Sequence, residues 1–136
     1  MKLIIGLLTL LIPSVTVNAQ QNSDSLIIGT WKGTSLCQVK NSPCHDETVV
    51  YHFSKTKKKN EYSLLANKIV NGAEEEMGTL IFNFDPATNE LVSSSFRPGS
   101  TWRFKLRGNS IDGTLMNDNV LYRIVAVKKC PLSGCP

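Results

Sequence analysis

The sequence predicts an all-β protein, a single antiparallel up-and-down barrel of about eight strands. Apolar and polar residues alternate along most of the chain beyond residue 26, and no stretch there has convincing helical spacing. Short turn signals separate the alternating runs, so consecutive strands should be neighbours in the sheet. Closing the sheet into a barrel removes its exposed edges.

Eight alternating runs are the candidate strands. They are residues 27–37, 47–54, 61–70, 76–85, 90–96, 101–107, 110–116 and 119–128. Turn residues such as Asn71-Gly72 and Gly108-Asn109 lie between them. Most connections have the length of a hairpin, and the chain contains neither a linker nor an internal repeat.

Residues 1–19 have the pattern of a secretory signal peptide. Lys2 precedes an almost unbroken apolar run at 3–12, and Val17-Asn18-Ala19 is typical of a cleavage site. A proline and polar residues interrupt this run before it reaches the about 18 apolar residues of a membrane-spanning helix. We therefore expect a secreted or periplasmic protein, cleaved after Ala19, with one barrel domain at 20–136 and no membrane insertion after cleavage.

Four cysteines lie in the predicted mature domain, and an even number in an exported chain is typical of disulfide bonding. Three pairings are possible. We favour Cys37 with Cys44 and Cys130 with Cys135, because each pair brackets a short polar or proline-bearing segment. The last strand of a closed meander runs antiparallel to the first, which disfavours a bond between Cys37 and Cys130.

The formal net charge of +4 includes the lysine of the leader and is too small to predict a nucleic-acid or membrane-binding protein. The lysine run, Lys55 with residues 57–59, falls between two candidate strands and is expected to be a solvated hairpin tip. The alternative is a contact for an anionic surface or a ligand headgroup at the barrel mouth. The glutamates at 74–76 are likewise expected on a solvated face.

Alternation assigns a largely apolar set of side chains to the inside of the barrel. The set is Val49, Tyr51, Phe53, Tyr62, Leu64, Leu80, Phe82, Phe84, Trp102, Phe104, Leu106, Ile111 and Leu115. The complementary faces carry charged residues such as Arg103 and Asp112. An eight-stranded barrel is either filled by side chains or holds one small ligand.

Six aromatic residues of this set are the predicted wall of a ligand site: Tyr51, Phe53, Tyr62, Phe82, Trp102 and Phe104. The serines at 93–95 interrupt the fifth strand. An inward serine would leave room or a hydrogen-bonding point for a ligand. The alternative is an irregular strand of no special purpose.

Gly29-Thr30-Trp31 resembles the glycine-any-tryptophan signature of the lipocalins and the wider calycin group. In that group the tryptophan lies at the closed end of the barrel, and an arginine from the last strand packs across it. Arg123 is the residue that matches, so the resemblance implies structural roles for Trp31 and Arg123. Avidin-like barrels open similarly but line their biotin site with several tryptophans, whereas this chain contains two in total.

No group of residues predicts catalysis. Cys44-His45-Asp46-Glu47 contains four potential metal ligands, but adjacent residues rarely converge on one ion, and Cys44 is expected in a disulfide. His52 is expected on the outer face. The chain lacks a Gly-x-Ser-x-Gly elbow, a phosphate-binding glycine loop and a His-Glu-x-x-His motif. We therefore expect no enzyme, no cofactor and no metal.

Two functions follow from this sequence. The first is an exported lipocalin-like protein that binds a small, mostly apolar molecule in its barrel, which the aromatic inward faces favour. The second is a filled, rigid barrel that presents its disulfide-constrained loops to a protein partner, as an inhibitor would. A lumen cavity of about 300 Å³ or more favours the first function, and a solid lumen favours the second. We expect a monomer in either case.

Overall fold

The computed structural model describes residues 11–14, 19–94 and 96–136. Within them one helix, α1 (Ala19–Ile27), precedes eight strands. These are β1 (Gly29–Cys37), β2 (Glu47–Lys55), β3 (Glu61–Val70), β4 (Ala73–Asp85), β5 (Glu90–Ser93), β6 (Ser100–Arg107), β7 (Ser110–Asn117) and β8 (Val120–Lys129). The strands pair antiparallel in sequence order and β8 closes on β1, so the predicted barrel is confirmed.

The predicted strand bounds agree closely with the observed ones. β3 has the predicted bounds, whereas β4 begins three residues early, at Ala73, and β5 ends at Ser93 instead of residue 96. Most of the predicted signal peptide, residues 1–10 and 15–18, lies outside the described residues. Among the residues that are described, no helix has the length and apolar character needed to cross a membrane.

One end of the barrel, here called the closed end, is covered by α1. Trp31 at the start of β1 is fully buried, and its indole Nε1 donates a hydrogen bond to the backbone oxygen of Ile27, at 3.0 Å. Ile27 is also fully buried. Lys129 at the end of β8 donates from Nζ to the backbone oxygen of Ser25, at 2.8 Å, and thereby ties the helix to the barrel.

The sequence did not predict α1. The helix contains mostly polar residues, and an isolated helix of this length is marginally stable in water. Contacts with the barrel hold it in place, including the hydrogen bond that the Tyr62 hydroxyl donates to the carboxylate of Asp24. Tertiary contacts therefore form a helix that the local sequence does not favour.

The structure corrects the expected pairing of Trp31 with Arg123. Trp31 pairs across β1 and β8 with Lys129, and the ammonium of Lys129 lies 5.6 Å from the centroid of the Trp31 ring. Arg123 pairs with Cys37 at the opposite end of β1. The register between β1 and β8 therefore gives the cation–π position to Lys129 and moves Arg123 to the other end of the barrel, here called the mouth.

Aromatic rings fill the half of the lumen next to the closed end. Phe104 lies at the centre of this packing. Its ring centroid is 4.8 Å from that of Phe82, 5.9 Å from those of Tyr51 and Trp102, and 6.5 Å from that of Phe53. The predicted inward-facing residues are buried, apart from Leu80 and Trp102, which are partly buried against the core.

Gly113 on β7 makes room for the central ring. It is the cross-strand partner of Phe104, and a Cβ added to Gly113 would lie 2.4 Å from Cδ1 of Phe104. Carbon atoms pack at about 3.5–4.0 Å. The ring of Phe104 therefore occupies the space that a side chain at residue 113 would need.

Both predicted disulfides are present in the described residues. Cys37 bonds Cys44 in the β1–β2 loop at the mouth, and Cys130 bonds Cys135 in the tail that follows β8. The sequence separations are 7 and 5 residues. Each bond therefore closes one short local segment, and neither bond joins two strands of the barrel.

The lysine run lies at the closed end, because β2 runs from the mouth to the closed end and the run follows it. Lys57, Lys58 and Lys59 are exposed in the β2–β3 hairpin, which confirms a solvated tip. Lys55 packs its ammonium 5.3 Å from the centroid of the Tyr62 ring. The expected contact with a ligand headgroup at the mouth is wrong, because the run lies at the opposite end of the barrel. Contact with an anionic surface stays a prediction.

Candidate functional site

A cavity of about 220 Å³ occupies the mouth half of the lumen. Phe104 and Tyr51 contribute to its lining beside the filled half, and Leu64, Ala66 and Leu80 are among its apolar lining residues. The cavity is smaller than the about 300 Å³ that marks the lower end for drug-sized ligands. The lumen is therefore neither packed solid nor as large as expected for the ligand-binding function, so its volume alone does not decide between the two functions.

The structure divides the six aromatic residues predicted to bind a ligand. Tyr51, Trp102 and Phe104 line the cavity. The other three, Phe53, Tyr62 and Phe82, are buried in the filled half of the lumen and do not line it. Alternation predicts that all six side chains face inward. Whether an inward side chain lines the cavity or belongs to the filled half depends on its position along the barrel axis, which alternation does not give.

A polar cluster forms one side of the cavity. The Arg123 guanidinium lies 3.6 Å from the Glu47 carboxylate, and these side chains are only 13% and 20% exposed. Nη1 of Arg123 also donates hydrogen bonds to Oγ of Ser35, at 3.2 Å, and to the backbone oxygen of His45, at 3.0 Å. Arg123 therefore joins β8 to β1 and to the segment that precedes β2.

Tyr51 presents its phenol to the same cluster. Burial, reinforced by the negative charge of Glu47, raises the pKa of the Tyr51 hydroxyl above its usual value, although Arg123 and a hydrogen bond with Ser35 act in the opposite direction. The phenol is therefore neutral at physiological pH. It adds a polar group to the cluster without adding charge.

Two buried polar atoms on β5 and β6 lack hydrogen-bond partners among the described residues. They are Oγ of Ser93, in a residue only 2% exposed, and Nε1 of Trp102. Ser93 and Trp102 are cross-strand partners on β5 and β6. The structure thus places the first serine of the 93–95 run inward, as one alternative predicted, while Ser94 is exposed and residue 95 lies outside the described residues.

The sequence reasoning missed the polar cluster because it assigned Arg123 to the closed end. Alternation along β8 contained the signal, since Arg123 shares its face with the buried Val125 and Val127. An arginine in line with core residues near a strand end predicts a cation at a lumen opening. Ser35 shares an inward face with Trp31 in the same way.

The outer surface carries a hydrogen-bonded row that involves His52. Nε2 of His52 lies 2.7 Å from Oε1 of Glu74, and Nδ1 of His52 lies 3.0 Å from the hydroxyl of Thr30. A carboxylate only accepts hydrogen bonds, so Nε2 donates to Glu74. Among the described residues no three His, Cys, Asp or Glu side chains are grouped to hold a metal ion.

We expect the variant His52→Ala to raise the pKa of Glu74. The hydrogen bond from His52, followed by that from Asn67, holds the pKa of this carboxyl below its usual value. Glu74 therefore stabilises the fold above its unfolded pKa, and this contribution is lost as pH falls through the folded pKa. Carboxyl NMR titration measures the change, with Thr114→Ala on β7 as control. If the pKa of Glu74 does not change in this variant, the hydrogen bond from Asn67 is the interaction that lowers it.

The fold and the cavity define a small up-and-down β-barrel with a half-filled lumen that opens at the mouth. No family model, no curated protein and no solved structure matches this chain. The resemblance to the lipocalins therefore depends on Gly29, Trp31 and the strand topology. Arg123 contributes to the cavity instead of to that resemblance.

Proposed function

We propose that this protein is an exported, lipocalin-like binding protein that holds a small, mostly apolar molecule in its mouth-side cavity. The observation that carries the proposal is the cavity itself: apolar side chains of Leu64, Leu80 and Phe104 contribute to its lining, and the polar cluster around Arg123 lies on one side. Ligand sites combine mostly apolar walls with a few placed polar groups. The two disulfides are compatible with an extracellular or periplasmic location.

We expect the variant Ala66→Leu to weaken binding of 1-octanol at least about tenfold, which corresponds to about 1.4 kcal/mol. Ala66 lines the cavity, so a larger side chain there takes up ligand space. Isothermal titration calorimetry measures the affinity. Ala126→Leu is the matched control, because residue 126 is exposed on the outer face of β8. Equal affinity of the Ala66→Leu and wild-type proteins would place the octanol outside the cavity, and no binding by the wild-type protein would contradict the proposal.

A second candidate function, a protein-interaction or inhibitor module, is favoured by the C-terminal loop. The Cys130–Cys135 bond encloses a tight turn, in which the Gly134 N–H donates to the backbone oxygen of Pro131, and Leu132 is fully exposed at its tip. Native mass spectrometry of detergent-free protein separates the two functions. A co-purified mass that is lost on denaturation supports the lumen ligand, and a bare mass favours the loop.

A further inference from the structure

The inner wall of the mouth carries a row of hydrogen-bond donors on neighbouring strands. Ser93 pairs with Trp102, Trp102 with Leu115, and Leu115 with Arg123. These four residues are therefore successive cross-strand partners on β5, β6, β7 and β8. Two of them carry hydrogen-bond donors and line the cavity, and we call these two the donor arc: Trp102 and Arg123.

The donor arc has unused hydrogen-bonding capacity. The indole Nε1 of Trp102 can only donate, and it has no partner among the described residues. The contacts that Arg123 makes with described residues all involve Nη1, so the N–H groups of Nε and Nη2 are free of them. Buried donors without partners are unfavourable, because they have lost their hydrogen bonds to water.

We propose that the cavity binds a small monocarboxylic acid in its ionised form, with the carboxylate on the donor arc and the apolar remainder against Tyr51 and Phe104. This inference rests on the proposed function. A carboxylate accepts hydrogen bonds and donates none, which matches the indole and guanidinium donors. Its bonds to these donors are charge-assisted and stronger than those of a neutral acceptor.

The surroundings also limit the charge and size of the ligand. Glu47 and Arg123 are the charged residues that line the cavity, and they pair with each other. A second negative charge on the ligand would therefore meet no further cation there and would be repelled by Glu47. An ammonium group would face the guanidinium at close range. The cavity volume of about 220 Å³ equals about seven water volumes of ~30 Å³, and therefore suits an acid of on the order of ten non-hydrogen atoms.

The first test compares three eight-carbon probes by isothermal titration calorimetry at pH 7.5: octanoate, 1-octanol and octylammonium. We expect octanoate to bind at least about tenfold more tightly than 1-octanol, and octylammonium to bind most weakly. Octanol binding as tight as octanoate would overturn the carboxylate site and leave the lumen function intact. Failure of all three probes would contradict the lumen function itself.

Variants of the donor arc locate the carboxylate. Trp102→Phe should weaken octanoate binding several-fold more than octanol binding. The double variant Arg123→Gln/Glu47→Gln removes both partners of the ion pair, so that no buried charge is left unpaired, and should abolish the preference for the acid. Arg103→Gln is the control, because Arg103 is exposed on the outer face of β6. Retention of the preference for octanoate in both arc variants would overturn the assignment.

The two tryptophans provide a readout that does not depend on affinity. Nε1 of Trp31 is already bonded to the Ile27 backbone oxygen, whereas Nε1 of Trp102 has no partner among the described residues. Saturating octanoate should move the Trp102 indole N–H resonance downfield and leave that of Trp31 in place, with Trp102→Phe to assign the signals. A Trp102 resonance that does not move while octanoate binds would remove Trp102 from the site.

Discussion

Replacing Phe104 with alanine is expected to destabilise the barrel by about 3–5 kcal/mol, the range for truncating a buried phenylalanine. Phe104 is fully buried and its ring contacts four other aromatic rings. The neighbouring rings belong to β2, β4 and β6, whose backbones are fixed by the closed ladder, so the structure can collapse only partly around the lost ring. Urea denaturation followed by tryptophan fluorescence measures the loss.

Phe96→Ala is the matched control for this variant. Phe96 also borders the cavity but is 48% exposed, so its truncation removes little buried area and should change the free energy of unfolding by less than about 1 kcal/mol. The comparison separates loss of packing from loss of an aromatic ring as such. Equal losses for the two variants would show that Phe104 does not hold the filled half of the lumen together.

The variant Gly113→Ala is expected to lower the free energy of unfolding by about 1–3 kcal/mol through overpacking. The added Cβ would lie 2.4 and 2.7 Å from two carbons of the Phe104 ring and 3.3 Å from Cβ of Val125. Four aromatic rings pack against the Phe104 ring, so a shift of this ring away from residue 113 would disturb its packing with them. Thermal or urea denaturation measures the loss.

A double-mutant cycle tests whether the Phe104 ring causes this loss. In the Phe104→Ala background the ring is absent, so Gly113→Ala should cost at least about 1 kcal/mol less than in the wild-type protein. The difference is the coupling energy of the two positions. A coupling energy near zero would attribute the strain to Val125 or to the β7 backbone.

The strands could be predicted because their signal is local. Each strand alternates between the lumen and the outer face, and asparagine or glycine turns mark its ends, as at Asn71 and Gly72, both of which adopt positive φ. The side chains that fill half of the lumen could also be predicted, since these aromatic residues occupy the inward positions of the alternating strands. The two disulfides followed from their short spacing.

The features that the sequence did not reveal depend on contacts between distant parts of the chain. α1 has no apolar stripe and is held by its bonds to Tyr62, Trp31 and Lys129. Lys129 packs against Trp31 in the place expected for Arg123, because of the register of β1 with β8. No local sequence pattern encodes this register. The donor arc was missed for the same reason, because its members lie on separate strands.

The closure of the sheet by β1 and β8 affects how the protein meets other copies of itself. In the described part of the chain, seven strand pairings join consecutive strands, and one joins the two strands farthest apart in sequence. Loop entropy grows only with the logarithm of loop length, so a loop roughly ten times longer than a hairpin's adds about 2 kcal/mol. For this modest entropic cost neither β1 nor β8 offers a free edge for another chain to extend, which suppresses edge-to-edge aggregation through these two strands. In the described residues β5 pairs only with residues 83–85 of β4, so the open edge of the sheet lies at residues 73–82.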